Sequence, residues 1–328
     1  MSINDLIFIN KLDEGSFTKV YLVSLKDKLT QYAAKKIDKS KYKQFKKLIG
    51  EIDILKDLNH PNIIKLIKTI ETPKEIYIIT ELCNGRNLFF ILKKYYQKNH
   101  RGFPEEIVQH ITRQLFEGMK YVHNKKIIHR SLNLRNILIH YDDENDIINN
   151  NIIKGKIKIG DFSLSRYLKK GELANSILGI PNNISPIIFN KLKKVPSYKD
   201  VGYDEKEDIW ALGTIFYELL TGKNPFQSQT IDELFDKVNE GNYFVPISLS
   251  KEAISLLNCM LQYESKNRLS LDKLINHRFL KKNINEFKKI DIEEIKDKIN
   301  VKDYLIQINT KKNDEIWKIF GDGIDEID

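Results

Sequence analysis

The hydrophobic pattern of the chain changes period near residue 85, and this change limits the possible folds more than any other feature. Before it, apolar and polar residues alternate in short segments separated by polar turns, as expected for β-strands. These segments are LIFINKL, KVYLVSL and QYAAKKI before residue 38, and IIKLIKTIE and IYIITEL between residues 63 and 82. Lys41 to Leu58 instead has apolar residues at a helical spacing. The pattern predicts a small, mostly antiparallel sheet accompanied by one helix.

After Gly85 the spacing of the apolar residues becomes helical over long stretches. The clearest stretches are EIVQHITRQLFEGMKYVHN, DIWALGTIFYELLTG, IDELFDKVNEG and KEAISLLNCML. A mostly β part followed by a mostly α part predicts an α+β fold with two lobes, joined near residues 82 to 86. The polar, Asn-rich run at residues 141–151, YDDENDIINNN, is predicted to be a surface loop insertion that buries nothing.

The C-terminal segment, residues 283–328, differs in charge from the rest of the chain. It contains 8 Lys and 12 Asp plus Glu, a net charge of −4, whereas the first 282 residues carry +13. Its apolar residues recur at spacings that suit two short helices: Ile292, Ile295 and Ile299, then Ile316, Trp317, Ile319 and Phe320. We expect these helices to dock on the basic body. The alternative is a partner-binding segment anchored by Trp317 and Phe320.

Composition excludes several classes of protein. The net charge of +9 suggests a nucleic-acid partner, but only 8 of the 54 basic residues are Arg, so a solvated Lys-rich surface is favoured over a specific nucleic-acid site. No apolar run approaches the ~20 residues of a membrane span. The opening MSINDLIFIN does not resemble a signal peptide, and two cysteines suit a reducing compartment. We therefore expect a cytoplasmic protein.

Eight short motifs occur in an order that identifies a family. They are LDEGSFTKV, YAAKK, GEIDILKDLNHPNIIKL, ITELCNG, IIHRSLNLRNIL, IKIGDFSLS, DIWALGTIFYELLTGKNPF and KNRLS. Together they resemble a eukaryotic Ser/Thr protein kinase domain over residues 6 to about 282. The resemblance implies a bilobal kinase fold with an N-lobe and hinge at 1–83, a larger helical C-lobe at 84–282 and a tail at 283–328. DFSLSRYLKKGELANSILGIP and GKNPFQSQTIDEL also resemble the autophagy-initiating kinases.

The resemblance implies a site for ATP and Mg²⁺, because phosphoryl transfer needs positioned phosphates and neutralised charge. Lys35 matches the lysine that holds the phosphates, and Glu51 matches the helix carboxylate that pairs with it. Asn136 and Asp161 match the two Mg²⁺ ligands, and their oxygens are the donors that a hard cation prefers.

The resemblance also implies an intact adenine pocket, with Thr80 as gatekeeper. Backbone groups of Glu81 and Cys83 would bind the base, and the Cys83 thiol would be a passive small hydrophobe. Apolar residues matching those that sandwich the base are Val20, Ala33, Leu88 and Leu138. The internal column that aligns the lobes of active kinases is matched by Leu55, Leu66, His129 and Phe162, which makes His129 a core residue.

Two catalytic charges of the family are missing. Ser131 stands where active kinases have the Asp that accepts or orients the substrate hydroxyl proton, and a neutral hydroxyl cannot act as a general base near pH 7. Such assistance is typically worth 10² to 10⁴ in rate, or roughly 3 to 5 kcal/mol of barrier. Asn133 stands where the family has the lysine that stabilises the transferring phosphoryl group. The αF Asp208 is retained.

The glycine-rich loop and the segment after it also depart from the family. Only the middle glycine, Gly15, remains; Asp13 and Thr18 replace the outer ones, which restricts the backbone. Ser163 replaces the glycine of D-F-G and would stiffen this segment.

A further departure affects the base of the C-lobe. SPI replaces the usual A-P-E, so Ile187 cannot pair with Arg268, the late arginine of the family pattern. The buried Arg268 charge therefore needs another partner.

These departures favour a pseudokinase that binds ATP and Mg²⁺ and acts on protein partners as a scaffold or allosteric regulator. A slow Ser/Thr kinase that uses Lys35, Asn136 and Asp161 is the alternative. A third possibility is a fold that has lost nucleotide affinity, which Asp13 favours and the intact pocket opposes.

Overall fold

A computed structural model describes most of the chain up to residue 281. The described residues are 2–14, 18–26, 28–40, 45–149, 151–168, 172–174, 183–241 and 243–281. Gly15 and the C-terminal segment 283–328 lie outside the described residues, so the predictions that concern them stay predictions.

The N-terminal lobe is built on an antiparallel sheet, as the alternating pattern predicts. In spatial order the strands are β1 (Leu6–Glu14), β2 (Thr18–Leu25), β3 (Lys28–Asp38), β5 (Glu75–Glu81) and β4 (Leu66–Glu71). Helix α1 (Phe45–Asp57) follows β3 and packs near β4 and the short strand β9 (Arg166–Tyr167). Within the sheet, Lys35 of β3 lies opposite Ile78 of β5. The strand register therefore fixes the position of Lys35 along the central strand.

The C-terminal lobe is mainly helical. Its helices are α2 (Leu88–Asn99), α3 (Glu105–Asn124), α4 (Glu144–Ile148), α5 (Pro186–Leu192), α6 (Lys206–Thr221), α7 (Ile231–Glu240), α8 (Lys251–Met260), α9 (Leu271–Leu274) and α10 (Arg278–Lys281). Short antiparallel pairs join β6 (Ile127–Ile128) to β9 (Arg166–Tyr167) and β7 (Ile137–His140) to β8 (Lys156–Ile159). The chain thus has the α+β, two-lobed architecture that the change of period predicts.

One hydrophobic core joins the two lobes and fixes their connection. It includes Ile37 and Ile78 of the sheet, Leu48 of α1, and residues of α3, α6 and α8. Helix α6 is buried on nearly every side, from Glu207 to Leu220. A helix that is apolar all round must lie in the interior. α6 is consequently the internal support on which the loops of the site rest.

The Asn-rich insertion at residues 141–151 differs from the predicted loop. It contains the short helix α4, whose N-cap Asp143 accepts a hydrogen bond from the Asn145 amide at 2.8 Å. Tyr141 is buried and Ile147 packs against the core. The prediction that this run buries nothing is wrong, because Tyr141 and Ile147 face inward, while Ile148, Asp142, Asp143 and Asn145 remain on the surface.

Arg268, which cannot pair with Ile187, has another partner. Arg268, which is 1% exposed, donates to Glu207 Oε1 at 3.0 Å and to three backbone carbonyls at 2.9 to 3.1 Å. Its guanidinium also lies over the Trp210 ring. Glu207 lies next to Asp208 in α6. Its carboxylate supplies the ion-pair partner that Ile187 cannot provide for Arg268. The expectation of a substitute partner is confirmed.

None of the described helices is both long and apolar enough to cross a membrane.

The Arg268–Glu207 pair leads to a stability prediction. Glu207→Leu leaves a buried guanidinium without its counter-charge, and removing one partner of a buried pair costs about 3 to 5 kcal/mol. We expect the free energy of unfolding to fall by this amount, measured by chemical unfolding followed by circular dichroism. The double variant Glu207→Leu/Arg268→Met should recover part of it, because no charge is then left buried.

Glu205→Leu is the matched control, since Glu205 is exposed two residues away and such changes stay within about 0.5 kcal/mol. A loss for Glu207→Leu no larger than for this control would show that the pair does not support the C-terminal lobe.

Candidate functional site

Three charged side chains from different elements meet between the lobes. Lys35 Nζ of β3 lies 2.7 Å from Glu51 Oε1 of α1 and 3.7 Å from Asp161 Oδ1. Glu51 is 3% exposed, whereas the Asp161 side chain is 38% exposed. The buried Glu51 therefore fixes the lysine, and the Asp161 carboxylate faces solvent.

The charges in this group influence one another. Burial raises the pKa of Glu51, in spite of the adjacent Lys35 ammonium. Desolvation also acts to raise the pKa of Asp161, but the Lys35 charge and hydrogen bonds from the Ser163 hydroxyl and amide outweigh it and hold that pKa below its usual value. Asp161 is thus ionised at neutral pH. Ser163, a departure from the family pattern, helps to hold the carboxylate.

The segment that carries Asp161 has an uncommon backbone conformation. Asp161 has φ of 57°, in the left-handed region that non-glycine residues rarely occupy and that Asp tolerates better than most. The next residue, Phe162, is fully buried, and its ring lies 4.7 Å from the His129 ring. The His129 side chain is also fully buried, as predicted, and Leu55 is 4% exposed. Leu66 is partly buried and packs on the same core.

A buried carboxylate of α6 anchors the loop that carries Ser131. Asp208 accepts hydrogen bonds at 2.9 Å from the His123 ring and from the backbone amides of His129 and Arg130. Burial alone would raise the pKa of Asp208, yet these hydrogen bonds and the nearby histidines lower it. Arg130 has φ of 66°, so the chain turns sharply at the anchored residues. Asp208 of α6 therefore fixes the position of this loop from the interior of the C-terminal lobe.

Ser131 faces the site but is bound into its own loop. It is 6% exposed, and its Oγ lies 3.1 Å from Asn136 Nδ2. The same Asn136 nitrogen donates to the Ser131 carbonyl at 2.8 Å and to Asp161 Oδ2 at 3.3 Å. These bonds hold the Asn136 amide beside the Asp161 carboxylate. The hydroxyl is a neutral hydrogen-bond partner here.

Asn133 is turned inward. It is 5% exposed, its Nδ2 donates to the Ser131 carbonyl at 2.8 Å, and its Oδ1 accepts from the Arg135 amide at 2.9 Å. The second bond caps the 3₁₀ turn at 134–136, a role that Asn side chains commonly take. The side chain that replaces the expected lysine therefore stabilises the loop and does not extend into the cleft.

Most of the apolar residues predicted to sandwich a base are partly buried, as expected for the walls of a cleft. These are Val20 and Ala33 in the sheet and Leu138 in β7, with Thr80 at the end of β5. Leu88 differs: it is 0% exposed. It begins α2, which packs against β7, so its side chain supports the layer below Leu138 and has no surface to offer a ligand. The assignment of Leu88 to the cleft wall is corrected accordingly.

The hinge residues divide their hydrogen-bonding groups between the protein and the cleft. The Glu81 carboxylate pairs with Lys158 at 2.8 Å, and the Glu81 amide donates to the Lys65 carbonyl at 3.0 Å. Among the described residues, the Cys83 amide and carbonyl have no protein hydrogen-bond partner. A backbone donor and acceptor at Cys83 are thus available to a bound base.

The hinge is tied to β7. The Tyr141 amide donates to Asn84 Oδ1 at 2.8 Å, and Asn84 Nδ2 donates back to the Tyr141 carbonyl at 2.7 Å. The Gly85 amide donates to the Ile139 carbonyl at 2.9 Å. A Cβ at Gly85 would lie 2.7 Å from that carbonyl, so only glycine allows this approach. These bonds hold the hinge in one position relative to the C-terminal lobe.

Sequence reasoning missed a group of residues at the opening of the cleft. The Arg135 guanidinium lies 3.8 Å from the centre of the Phe89 ring, and the charges of Asp13 and Glu218 act on it. Burial raises the pKa of Glu218 to about 7, against the opposing effect of Arg135. The presence of Arg in a predominantly Lys-rich chain was the only available signal.

Known proteins show which family has this architecture. The pattern of the protein kinase domain matches residues 6–280. The chain is 32% identical to the serine/threonine-protein kinase polo of Drosophila melanogaster over 82% of this chain and 43% of that protein. It is 32% identical to myosin light chain kinase A of Dictyostelium discoideum over 92% of this chain and 94% of that protein. It is also 32% identical to calcium-dependent protein kinase 5 of Plasmodium berghei, over 96% of this chain and 56% of that protein.

The chain therefore belongs to the protein kinase family, and its α+β lobes are the N-lobe and C-lobe of that fold. The alignment spans less than two thirds of two of these three relatives. The resemblance to autophagy-initiating kinases and the predicted boundaries at residues 83 and 282 stay predictions.

The environment of Cys83 leads to a chemical prediction. Burial raises the pKa of its thiol to about 12, with the Glu81 carboxylate adding to the effect. Since the thiolate is the reactive form, alkylation by iodoacetamide at pH 8 should be roughly 10³-fold slower than for a free cysteine.

Cys259→Ser isolates Cys83 for this measurement, and Cys83→Ser isolates Cys259, the only other cysteine, as the comparison. Mass spectrometry of the alkylated protein gives both rates. If Cys83 reacted as fast as free cysteine, the prediction that its thiol is a passive small hydrophobe would be wrong.

Proposed function

We propose that the protein is a pseudokinase: it binds ATP and Mg²⁺ between the lobes, transfers phosphate poorly or not at all, and acts on protein partners as a scaffold or allosteric regulator. The observation that carries the proposal is the closed hydrogen-bond network of Ser131, Asn133 and Asn136. At the two positions where the family has catalytic charges, this chain has neutral side chains that are hydrogen-bonded within the loop.

Nucleotide binding is supported by the groups that remain. Lys35 is held by Glu51 at 2.7 Å and can bind phosphate oxygens as a fixed cation. Val20, Ala33 and Leu138 offer apolar surface for a base, and the Cys83 backbone offers a donor and an acceptor. Asp13 opposes binding, since its exposed carboxylate would repel phosphates that came near it.

Mg²⁺ is supported by the chemistry of two side chains. The Asn136 amide nitrogen donates to Ser131, which leaves the amide oxygen to serve as a metal ligand. Asp161 supplies an ionised carboxylate beside it. Oxygen donors of this kind suit Mg²⁺, which would neutralise phosphate charge when bound. Within the described residues, no cluster of three or more His, Cys, Asp or Glu forms a separate metal site.

Poor phosphotransfer follows from what the loop cannot do. The Ser131 hydroxyl cannot accept a proton from a substrate hydroxyl near pH 7, so a substrate would attack without general-base assistance. Asn133 is neutral and its side chain is occupied by the loop itself. The charge that builds up on a transferring phosphoryl group would lack one of its usual cations.

A slow kinase is the second candidate, and one observation favours it. The Lys35–Glu51 pair is formed and Asp161 lies 3.7 Å from Lys35. Phosphoryl transfer depends mainly on positioning and electrostatic stabilisation, so these groups alone can support some turnover. The chemical difference between the two candidates rests on Ser131 and Asn133.

Thermal unfolding of the full chain with ATP and Mg²⁺ tests nucleotide binding. A ligand at 100 times its dissociation constant stabilises by about 2.7 kcal/mol, so the melting temperature should rise, and Lys35→Ala should reduce the rise. Lys36→Ala is the matched control, because Lys36 pairs with Glu75 instead of Glu51. No rise at millimolar ATP, with or without Mg²⁺, would favour a scaffold that has lost the nucleotide.

A radiolabelled-ATP assay with generic protein substrates tests catalysis. We expect turnover far below the ~1 s⁻¹ at the low end of ordinary kinases. Ser131→Asp alone should restore little, because Asn133 still provides no cation; Ser131→Asp/Asn133→Lys should restore more. Asp161→Ala identifies any signal from a contaminating kinase. Wild-type turnover near 1 s⁻¹ that Asp161→Ala abolished would refute the pseudokinase proposal.

A further inference from the structure

Helix α1 ends at a carboxylate that two side chains of the C-terminal lobe contact. Asp57 is the last residue of α1, and its Oδ2 accepts a hydrogen bond from the Tyr167 hydroxyl at 3.2 Å. Its Oδ1 lies 3.3 Å from Lys125 Nζ. We call these two contacts the Asp57 bridge. They form where α1 packs on the short strand β9.

Both partners of Asp57 are anchored in the C-terminal lobe. Tyr167 belongs to β9, where it pairs with Ile127 of β6. Lys125 directly follows α3, and its ammonium lies 5.5 Å from the centre of the Tyr121 ring of that helix. The Asp57 bridge therefore ties the end of an N-lobe helix to two anchored residues of the C-lobe.

The place of Asp57 at the end of α1 is unfavourable for the helix itself. A carboxylate in the last turn meets the negative end of the helix dipole, where cations are preferred. Lys56 in the same turn follows that preference, whereas Asp57 does not. The Asp57 side chain is also 49% exposed, so it does not support the hydrophobic core. Its favourable interactions are those of the bridge.

The Tyr167 hydroxyl keeps its proton at neutral pH and can donate it. Partial burial and the charge of Asp57 raise the pKa of Tyr167 to about 12, and the charge of Asp53 adds to the effect. A hydrogen bond from a neutral hydroxyl to a carboxylate is charge-assisted, and Lys125 adds an attractive charge on the other oxygen. Exposed contacts of this kind are individually weak, so they can bias the position of α1 without being required for folding.

The two elements that the bridge joins carry the carboxylates that contact Lys35. Glu51 lies six residues before Asp57 in α1, and Asp161 lies six residues before Tyr167. Lys35 Nζ is 2.7 Å from Glu51 and 3.7 Å from Asp161. Six residues of helix span only ~9 Å, so a displacement at Asp57 also moves Glu51.

We propose that Tyr167 and Lys125 are positioning residues for the phosphates of a bound nucleotide. They act through Asp57: the bridge holds α1 where Glu51 fixes Lys35 toward the cleft. The inference rests on the proposed binding of ATP and assigns the bridge a share of the affinity for phosphates. It assigns no share of the affinity for the base, which the hinge and the apolar walls would bind.

Isothermal titration calorimetry of the full chain with ATP and Mg²⁺, and separately with adenosine, tests this role. Tyr167→Phe removes the hydroxyl but keeps the ring, and Lys125→Met removes the charge but keeps most of the stem. Together they should weaken ATP binding about tenfold and change adenosine binding by less than about twofold. Adenosine separates the two effects because it lacks the phosphates that Lys35 would hold.

A double-mutant cycle tests whether the bridge acts through Glu51. Glu51→Gln keeps the shape of the side chain but removes the charge that fixes Lys35. In that background, adding Tyr167→Phe and Lys125→Met should weaken ATP binding by less than about twofold, because contacts that act through one group are not additive.

Two matched controls remove the same groups elsewhere. Tyr198→Phe removes a hydroxyl that contacts Tyr263, and Lys120→Met removes an ammonium of α3 that pairs with Asp272. Both contacts lie within the C-terminal lobe. Each control should leave the affinities for ATP and for adenosine unchanged.

Hydrogen exchange followed by mass spectrometry reports on α1 without any nucleotide. In the Tyr167→Phe/Lys125→Met variant, the amides of α1 should exchange several-fold faster, because the bridge no longer opposes local opening. The amides of α3 should exchange as in the wild type, which also shows that the variant is folded.

Several results would overturn the proposal. Unchanged ATP affinity in the double variant would do so, as would an equal loss for ATP and adenosine, full additivity with Glu51→Gln, or unchanged exchange in α1. A wild-type chain that binds neither ligand would refute the proposed nucleotide binding. The exchange of α1 would then decide by itself whether the bridge positions the helix, so the two failures are distinguishable.

Discussion

The buried carboxylate of Asp208 is the interaction on which the candidate site depends. It accepts hydrogen bonds from the His123 ring and from two successive amides, those of His129 and Arg130. An unpaired charge could not remain in that interior, so the three donors and the carboxylate require one another. Because α6 is itself buried, the loop is attached to the interior of the C-lobe. The position of Ser131 is therefore set by groups that do not take part in chemistry.

This arrangement explains how the loop can lose catalytic charges and keep its shape. The Ser131 carbonyl accepts hydrogen bonds from the side-chain amides of Asn133 and Asn136, and Asn133 also caps the following turn. A lysine at 133 would have no acceptor oxygen with which to cap. A comparable replacement occurs at Arg268, where Glu207 supplies the carboxylate that Ile187 lacks. The shape of this loop is thus held by groups other than the two charges that the family pattern has at positions 131 and 133.

Much of the fold follows from the sequence, because side-chain alternation determines the sheet and helical spacing determines the long helices. Helix α2 is harder to see: its buried residues Leu88, Ile91, Leu92 and Tyr95 have helical spacing, but Phe89 and Phe90 on the other side obscure the pattern. Lys35 and Glu51 were found because motifs place them. The Glu207 partner of Arg268 could not be found, since the two residues are 61 positions apart and only packing brings them together. The full burial of Leu88 likewise depends on how α2 meets β7.

The charges around the cleft differ from the family pattern at three positions. Ser131, in place of an expected aspartate, removes a negative charge from this side of the cleft. Arg135, four residues further along the same loop and stacked on Phe89, adds a positive charge. Asp13 adds a negative charge on the opposite lobe, and the Arg135 guanidinium lies within its influence. The C-lobe side of the opening consequently becomes more positive while the N-lobe side becomes more negative. Coulomb attraction between Asp13 and Arg135 across this opening favours approach of the lobes.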